Sequence, residues 1–277
     1  MPPRLSPGLL TALAHRLTPR DYTLLQALHD QRLLTTQQVA ALFFGRRSSR
    51  RARTRLLTLH RLGVLERFRP HTAPGSAPWC WVLASAGVHL LARHRDQPAA
   101  ELAPRAERAL ALAHSARLHH HIGVREVLVA ATLAARTDEG HRLEIWWDEA
   151  RCAQEWGTYI RPDAFLRYRH PGGAVDAFLE YDTGTEPLAR VAAKLPGYEH
   201  LAEATRITTP LLLTTTAATR ETNLAERLAE EPAPHVPVWL TTAAQLLDPG
   251  PAEPVWRPLR DGPHRSLTDL HRPAAQT

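Results

Sequence analysis

Lysine is almost missing from this chain. All but one of its 34 basic side chains are arginine, and the exception is Lys194. Cysteine is nearly as scarce: Cys80 and Cys152 stand alone, too few for a disulfide framework and without the paired spacing of a zinc site. No apolar run reaches the roughly 20 residues that cross a membrane, so no membrane partner is expected. The first residues show no hydrophobic segment followed by a cleavage site, so no secretory leader is expected. With so few thiols, a reducing, cytoplasmic setting is the expectation. The chain also lacks a nucleotide-binding glycine loop, a serine nucleophile elbow and any internal repeat.

What is present is ordinary globular material: 277 residues, 44% hydrophobic and 22% charged, enough for two modest domains. The net charge of +6 favours a polyanionic partner. In a chain where arginine stands wherever either cation serves, a surviving lysine points to a position that needs a compact, deprotonatable ammonium.

Residues 18–95 read as a winged helix-turn-helix. Thr18 and Pro19 suit the cap and first position of a helix to about 29, with Tyr22, Leu25 and Leu28 at helical spacing. Thr35 or Thr36 caps a second helix to 44, which turns Val39, Leu42 and Phe43 inward and is broken by Gly45. A third helix spans 48–62 and closes on Gly63. Residues 64–68 and 79–83 are strand-like, and the turn-rich stretch between them makes a hairpin, the wing. Residues 96–117, with Pro98 and Pro104, read as a helical or partly ordered connector. From 118 to 247 helices and strands alternate, which predicts an α/β (α+β) sandwich with a mixed sheet. The proline-rich tail, 248–277, is expected to wrap loosely or stay disordered.

Two constellations carry chemistry. On the third helix Ala52, Leu56 and Leu59 share one face, while Arg50 and Arg61 lie opposite, Arg51 and Arg53 flank them, and Arg46 and Arg47 precede the helix. No acidic residue occurs from Gly45 to Val64, so this is not salt-bridge decoration. It suits double-stranded DNA, by guanine recognition or phosphate anchoring. The fold leaves a homodimer open.

The second constellation is acidic. Pro162-Asp163 opens a strand, and Glu180 and Asp182 share a face at the end of the next. Asp163, Glu180 and Asp182 together would make a hard oxygen site suited to Mg²⁺ or Mn²⁺. The same acids read equally as strand-end carboxylates, solvated or paired with arginine. His119-His120-His121 suits helix-start packing or a phosphate contact, because adjacent histidines cannot all face one ion. Trp146, Trp147 and Trp156 read as core and edge aromatics.

Pro162-Asp163, Glu180-x-Asp182-x-Gly184-Thr185 and Lys194-x-x-x-Tyr198 resemble the core signature of the replication-relaxation proteins of actinobacterial plasmids and mobile elements. The likeness spans roughly 18–258. It implies a winged helix joined to a domain similar to PD-(D/E)xK nucleases. By it Asp163 and Glu180 correspond to metal ligands, Lys194 to a catalytic lysine moved from strand to helix, and Tyr198 to the tyrosine of the nuclease helical motif. The function implied is DNA binding with metal-dependent nicking. The alternative is a non-enzymatic regulator on a degenerate nuclease fold. Asp182 stands where the nuclease consensus has lysine, and Pro196-Gly197 is expected to interrupt the helix between Lys194 and Tyr198.

Overall fold

The structure, a computed structural model, describes residues 5–45, 48–70, 77–230 and 235–270. Arg46, Arg47, most of the expected wing turn (71–76) and the end of the expected tail (271–277) lie outside the described residues. The chain divides into two compact units, Met1–Arg125 and Glu126–Thr277.

The first unit contains α1 (Pro7–Ala14), α2 (Pro19–Gln31), β1 (Leu34–Thr35), α3 (Thr36–Phe43), α4 (Ser49–Arg61), β2 (Leu65–Phe68), β3 (Cys80–Leu83), α5 (Ser85–His94) and α6 (Ala99–Ala111). Helix α7 (Leu118–Ala134) starts in it. The three strands pair in the order β1-β3-β2, all antiparallel. From α2 to α5 this is the order of helices and strands expected from the sequence, with the short strand β1 added; α1 ahead of it was not foreseen. The helix starts follow from reciprocal caps: Thr18 with Asp21 on α2, and Thr35 with Gln38 on α3. Gly63, at φ 71°, ends α4 in the left-handed region. Leu24, Leu25, Leu28, Val39, Leu56 and Leu59 form the core beneath these helices.

The stretch expected to be a helical or partly ordered connector is helical over Ala99–Ala111 and belongs to this unit. Pro98 stands just ahead of α6, where proline costs nothing, and Pro104 is exposed and forgoes one backbone hydrogen bond. Burial of Leu102 against the helical core offsets that loss, and Ala109 and Leu112 cover Leu33, Cys80 and Val82 on the far face of the wing sheet. Arg105 completes the anchorage, its Nε donating to the His29 carbonyl at 2.8 Å.

The second unit is built on β4 (Arg142–Asp148), β5 (Ala164–His170), β6 (Gly173–Asp182), β7 (Leu211–Thr215), β8 (Val238–Thr242) and β9 (Arg257–Pro258), in that spatial order. The pairs β4–β5, β5–β6 and β8–β9 are antiparallel, and β6–β7 and β7–β8 are parallel. The expected mixed sheet is therefore present. One face is covered by α8 (Glu149–Trp156), α9 (Leu188–Ala192), α10 (Leu195–Thr205) and α11 (Ala218–Ala229), which bury Phe165, Phe178, Leu211, Leu213, Val238 and Leu240. Trp147 and Trp156 join this core, their rings tilted against Phe165 with centroids at 5.2 Å. The helix α12 (Ala243–Leu247) follows β8.

The tail departs from expectation. Val255, Trp256, Leu259, Leu267 and Leu270 are buried, and β9 extends the sheet. Over its described part, 248–270, the tail is mostly turns and bends around the short β9, held to the unit by its buried apolar side chains.

Candidate functional site

On α4 the buried stripe is Ala52, Leu56 and Leu59, as the spacing required. Arg50, Arg51, Arg53 and Arg61 are exposed. Among the described residues none of the four is in an ion pair or side-chain hydrogen bond. Arg55 is different and was not foreseen. Its Nε donates to Asp21 Oδ1 at 2.9 Å and its Nη2 to Oδ2 at 2.5 Å, and Nη2 also reaches the Arg16 carbonyl at 3.0 Å. Asp21 is buried, which alone would raise its carboxyl, but the bonds from Arg55 and Thr18 hold it below the ordinary range. One arginine thus fixes α4 on α2, and the others face solvent.

The acidic constellation lies where β5 begins and β6 ends. Asp163 precedes β5 and is pinned by its backbone: its N–H donates to the Leu179 carbonyl at 3.0 Å and its Oδ2 accepts from the Tyr181 N–H at 2.8 Å. Glu180, on β6, is 2% exposed. Its Oε1 accepts from the Tyr198 hydroxyl at 2.6 Å, and its Oε2 pairs with the Lys194 ammonium. Burial first, then the charge of Asp163, push the Glu180 carboxyl well above the usual carboxylate range, against Lys194 and Tyr198. Burial disfavours the charged Lys194, yet the charges of Glu180 and Asp163 outweigh it and raise its ammonium. The Tyr198 phenol is raised too, by burial and then by the Glu180 charge.

Pro196-Gly197 does not separate Lys194 from Tyr198. Lys194 is the residue before α10, and Pro196 falls in the helix's first turn, where a missing N–H is harmless. Gly197 lets the helix approach closely, since a Cβ there would sit 3.0 Å from the Tyr159 carbonyl and from Ile160. Lysine and tyrosine therefore converge on one carboxylate.

Asp182 is not part of that group. It shares the Glu180 face of β6 but accepts Arg220 Nε at 2.6 Å and Nη2 at 3.2 Å, plus the Gly184 N–H at 2.9 Å. Arg220 also binds the Glu186 carbonyl at 2.5 Å, which closes the turn after β6. Among the described residues no group of three or more His, Cys, Asp and Glu side chains could hold a metal. The expected triad of Asp163, Glu180 and Asp182 thus reduces to the pair Asp163 and Glu180. Both are buried and bring hard oxygen donors, the type that holds divalent cations, to the junction of β5 and β6. Arg220 and Arg55 escaped the sequence reading because nothing local marks which arginine will meet an acid.

His121, at the start of α7, is buried. Its Nδ1 lies 3.5 Å from Arg125 Nη1, and its carbonyl accepts from the same atom at 3.1 Å. Burial, followed by the charge of Arg125, lowers its pKa to about 3, which suits the expected helix-start packing.

No curated protein and no solved structure matches the chain. A family profile does: that of replication-relaxation proteins, over residues 25–212. The matched span runs from α2 into β7, and so takes in both the arginine face of α4 and the Asp163, Glu180, Lys194 and Tyr198 cluster. By that match, over more than half its length, the chain belongs to the replication-relaxation family.

Proposed function

We propose that this chain is a duplex-DNA-binding protein of plasmid or mobile-element replication and relaxation, and that its second unit carries out metal-dependent nicking. The observation that carries the binding half is the solvent-facing set Arg50, Arg51, Arg53 and Arg61 on the third helix of a winged fold, unpaired among the described residues. Arg46 and Arg47 would add to it at the helix entrance.

The chemical half rests on Asp163, Glu180, Lys194 and Tyr198. Asp163 and Glu180 would hold Mg²⁺ or Mn²⁺, which supplies an activated water and offsets charge on a phosphodiester. Lys194, more than a third exposed at its side chain, is the group of the cluster open to solvent and would steady the phosphate. Tyr198 holds Glu180 in place. Asp182 stays with Arg220 as a structural clamp.

The test follows conversion of supercoiled to open-circular plasmid with Mg²⁺ or Mn²⁺, against a chelator control. Asp163→Ala and Glu180→Ala should abolish nicking and leave DNA affinity nearly unchanged. Lys194→Arg should also fail, since a planar fork replaces a compact ammonium. A second reading, a regulator on a nuclease-like scaffold, draws support from the internal partners that Asp163, Glu180 and Asp182 already have. Firm DNA binding with no nicking under any divalent ion would select it.

A further inference from the structure

The strands of the wing carry cations that the reading above does not use. Arg67 lies on β2 and Arg69 just beyond its end, so strand alternation puts them on one face. Register sets Arg67 opposite Trp81. The guanidinium carbon of Arg67 stands 4.0 Å from the Trp79 ring centroid, and that of Arg69 4.3 Å. Both fall well inside cation–π range.

Trp79 is itself held. Its carbonyl accepts from the Thr36 N–H at 3.0 Å, at the first residue of α3, and its ring packs partly on the helical core. Trp81 beside it donates its indole N–H to Thr36 Oγ1 at 2.9 Å. The indole platform is therefore fixed to the helix-turn-helix rather than carried by a free hairpin.

Two guanidiniums drawn to one ring repel each other. Among the described residues neither has an acidic partner, and Glu66 points to the other face of the strand by alternation. Such a pair is stabilised by an anion placed against both forks. Because the guanidiniums already occupy the indole, the ring is not a platform for stacking a base. A ligand suited to this arrangement is a phosphate.

We propose that Arg67 and Arg69, ordered by Trp79, grip a backbone phosphate of the DNA duplex engaged by α4. This rests on the DNA-binding reading above and assigns the wing base a sequence-independent anchoring role.

Full-length protein is titrated with two unrelated random-sequence duplexes over a range of salt, by anisotropy. The variant Arg67→Gln/Arg69→Gln should lose roughly tenfold in affinity for both duplexes, with the salt slope reduced by about 0.9 for one phosphate. Trp79→Leu keeps both charges and should still weaken binding several-fold. Inorganic phosphate should compete with wild type more than with the glutamine variant. If the glutamine variant, folded by circular dichroism, binds both duplexes with wild-type affinity and slope while Arg50→Gln/Arg53→Gln weakens binding, the wing anchor is wrong and the recognition helix stands. A wild type that binds no duplex at any salt overturns both. Unchanged affinity in Trp79→Leu removes the ordering role of the indole. A loss confined to one duplex sequence would mean base reading and would also overturn the phosphate assignment.

Discussion

Glu180 sits in the sheet at 2% exposure with donors on both oxygens, Tyr198 on one and Lys194 on the other. Removing a donor from a buried carboxylate leaves a desolvated acceptor, so Tyr198→Phe should lower stability by about 1.5–3 kcal/mol in urea denaturation. A loss of only a few tenths would mean that Glu180 is already protonated and needs no donor there. Ion pairs in the same unit should divide by burial. Asp182 and Arg220 are 5% and 18% exposed at their side chains, so Arg220→Leu strands a buried charge and should cost about 3 kcal/mol. Asp176 and Arg167, at 33% and 38%, make an equally short contact on the surface, and Arg167→Leu should cost under about 1 kcal/mol. Asp163, Glu180 and Lys194 could be singled out in the sequence by residue type, and Tyr198 by the resemblance to the replication-relaxation signature. Their common meeting point could not, because it depends on side-chain reach across β6 and α10. Asp182 shows the limit: alternation placed it on the Glu180 face, but its partner is an arginine 38 residues away.

Helix α10 owes its position to two residues that look like breakers. Pro196 lies in the first turn, so Pro196→Ala should change stability by no more than about 0.5 kcal/mol. Gly197 faces the Tyr159 carbonyl and Ile160, each 3.0 Å from where a Cβ would stand. Gly197→Ala should therefore cost about 1–3 kcal/mol and push Lys194 and Tyr198 away from Glu180. Equal effects of the two substitutions would contradict this placement. Helix α7 carries an acid-sensitive element in His121. Its folded pKa, about 3, lies below the ordinary value of 6.5, so the unfolded chain takes up the proton first. Its contribution is intact above pH 6.5 and is lost as pH falls toward 3, by up to about 1.4 kcal/mol per pH unit. His121→Leu should flatten the fall in urea midpoint between pH 7 and pH 5, and a parallel fall would place the acid sensitivity elsewhere. The helix starts at Thr18 and Thr35 were legible because caps are local in sequence. That Pro104 and Pro196 interrupt nothing was not legible, since whether a proline breaks a helix depends on which turn it occupies and what burial offsets it.

Across the whole molecule, the boundary between units is set by what covers the wing sheet. Helix α6 and the residues that follow bury Cys80 and Val82 on its far face. Cys80 is fully buried, and burial pushes its thiol up to about 12. In the full chain it should resist a thiol-reactive disulfide reagent under native conditions. A fragment ending at Arg95 strips that cover, and its Cys80 should react at the rate of an unfolded chain, with a loss of cooperative melting. Slow reaction and a sharp transition in the fragment would show that the first 95 residues fold alone. The sequence by itself determined the winged-helix order, the mixed sheet, the buried stripe of α4 and the residue types of the acidic cluster. Those follow from capping, from helical and strand periods, and from the rarity of lysine, all of which act within a few residues. Tertiary structure alone decided which acids meet which bases: Asp21 with Arg55, Glu180 with Lys194 and Tyr198, Asp182 with Arg220. It also decided that α6 and the tail belong to packed units. A period reports which face of an element is buried, but a partner depends on where another element lands, and no short-range pattern encodes that.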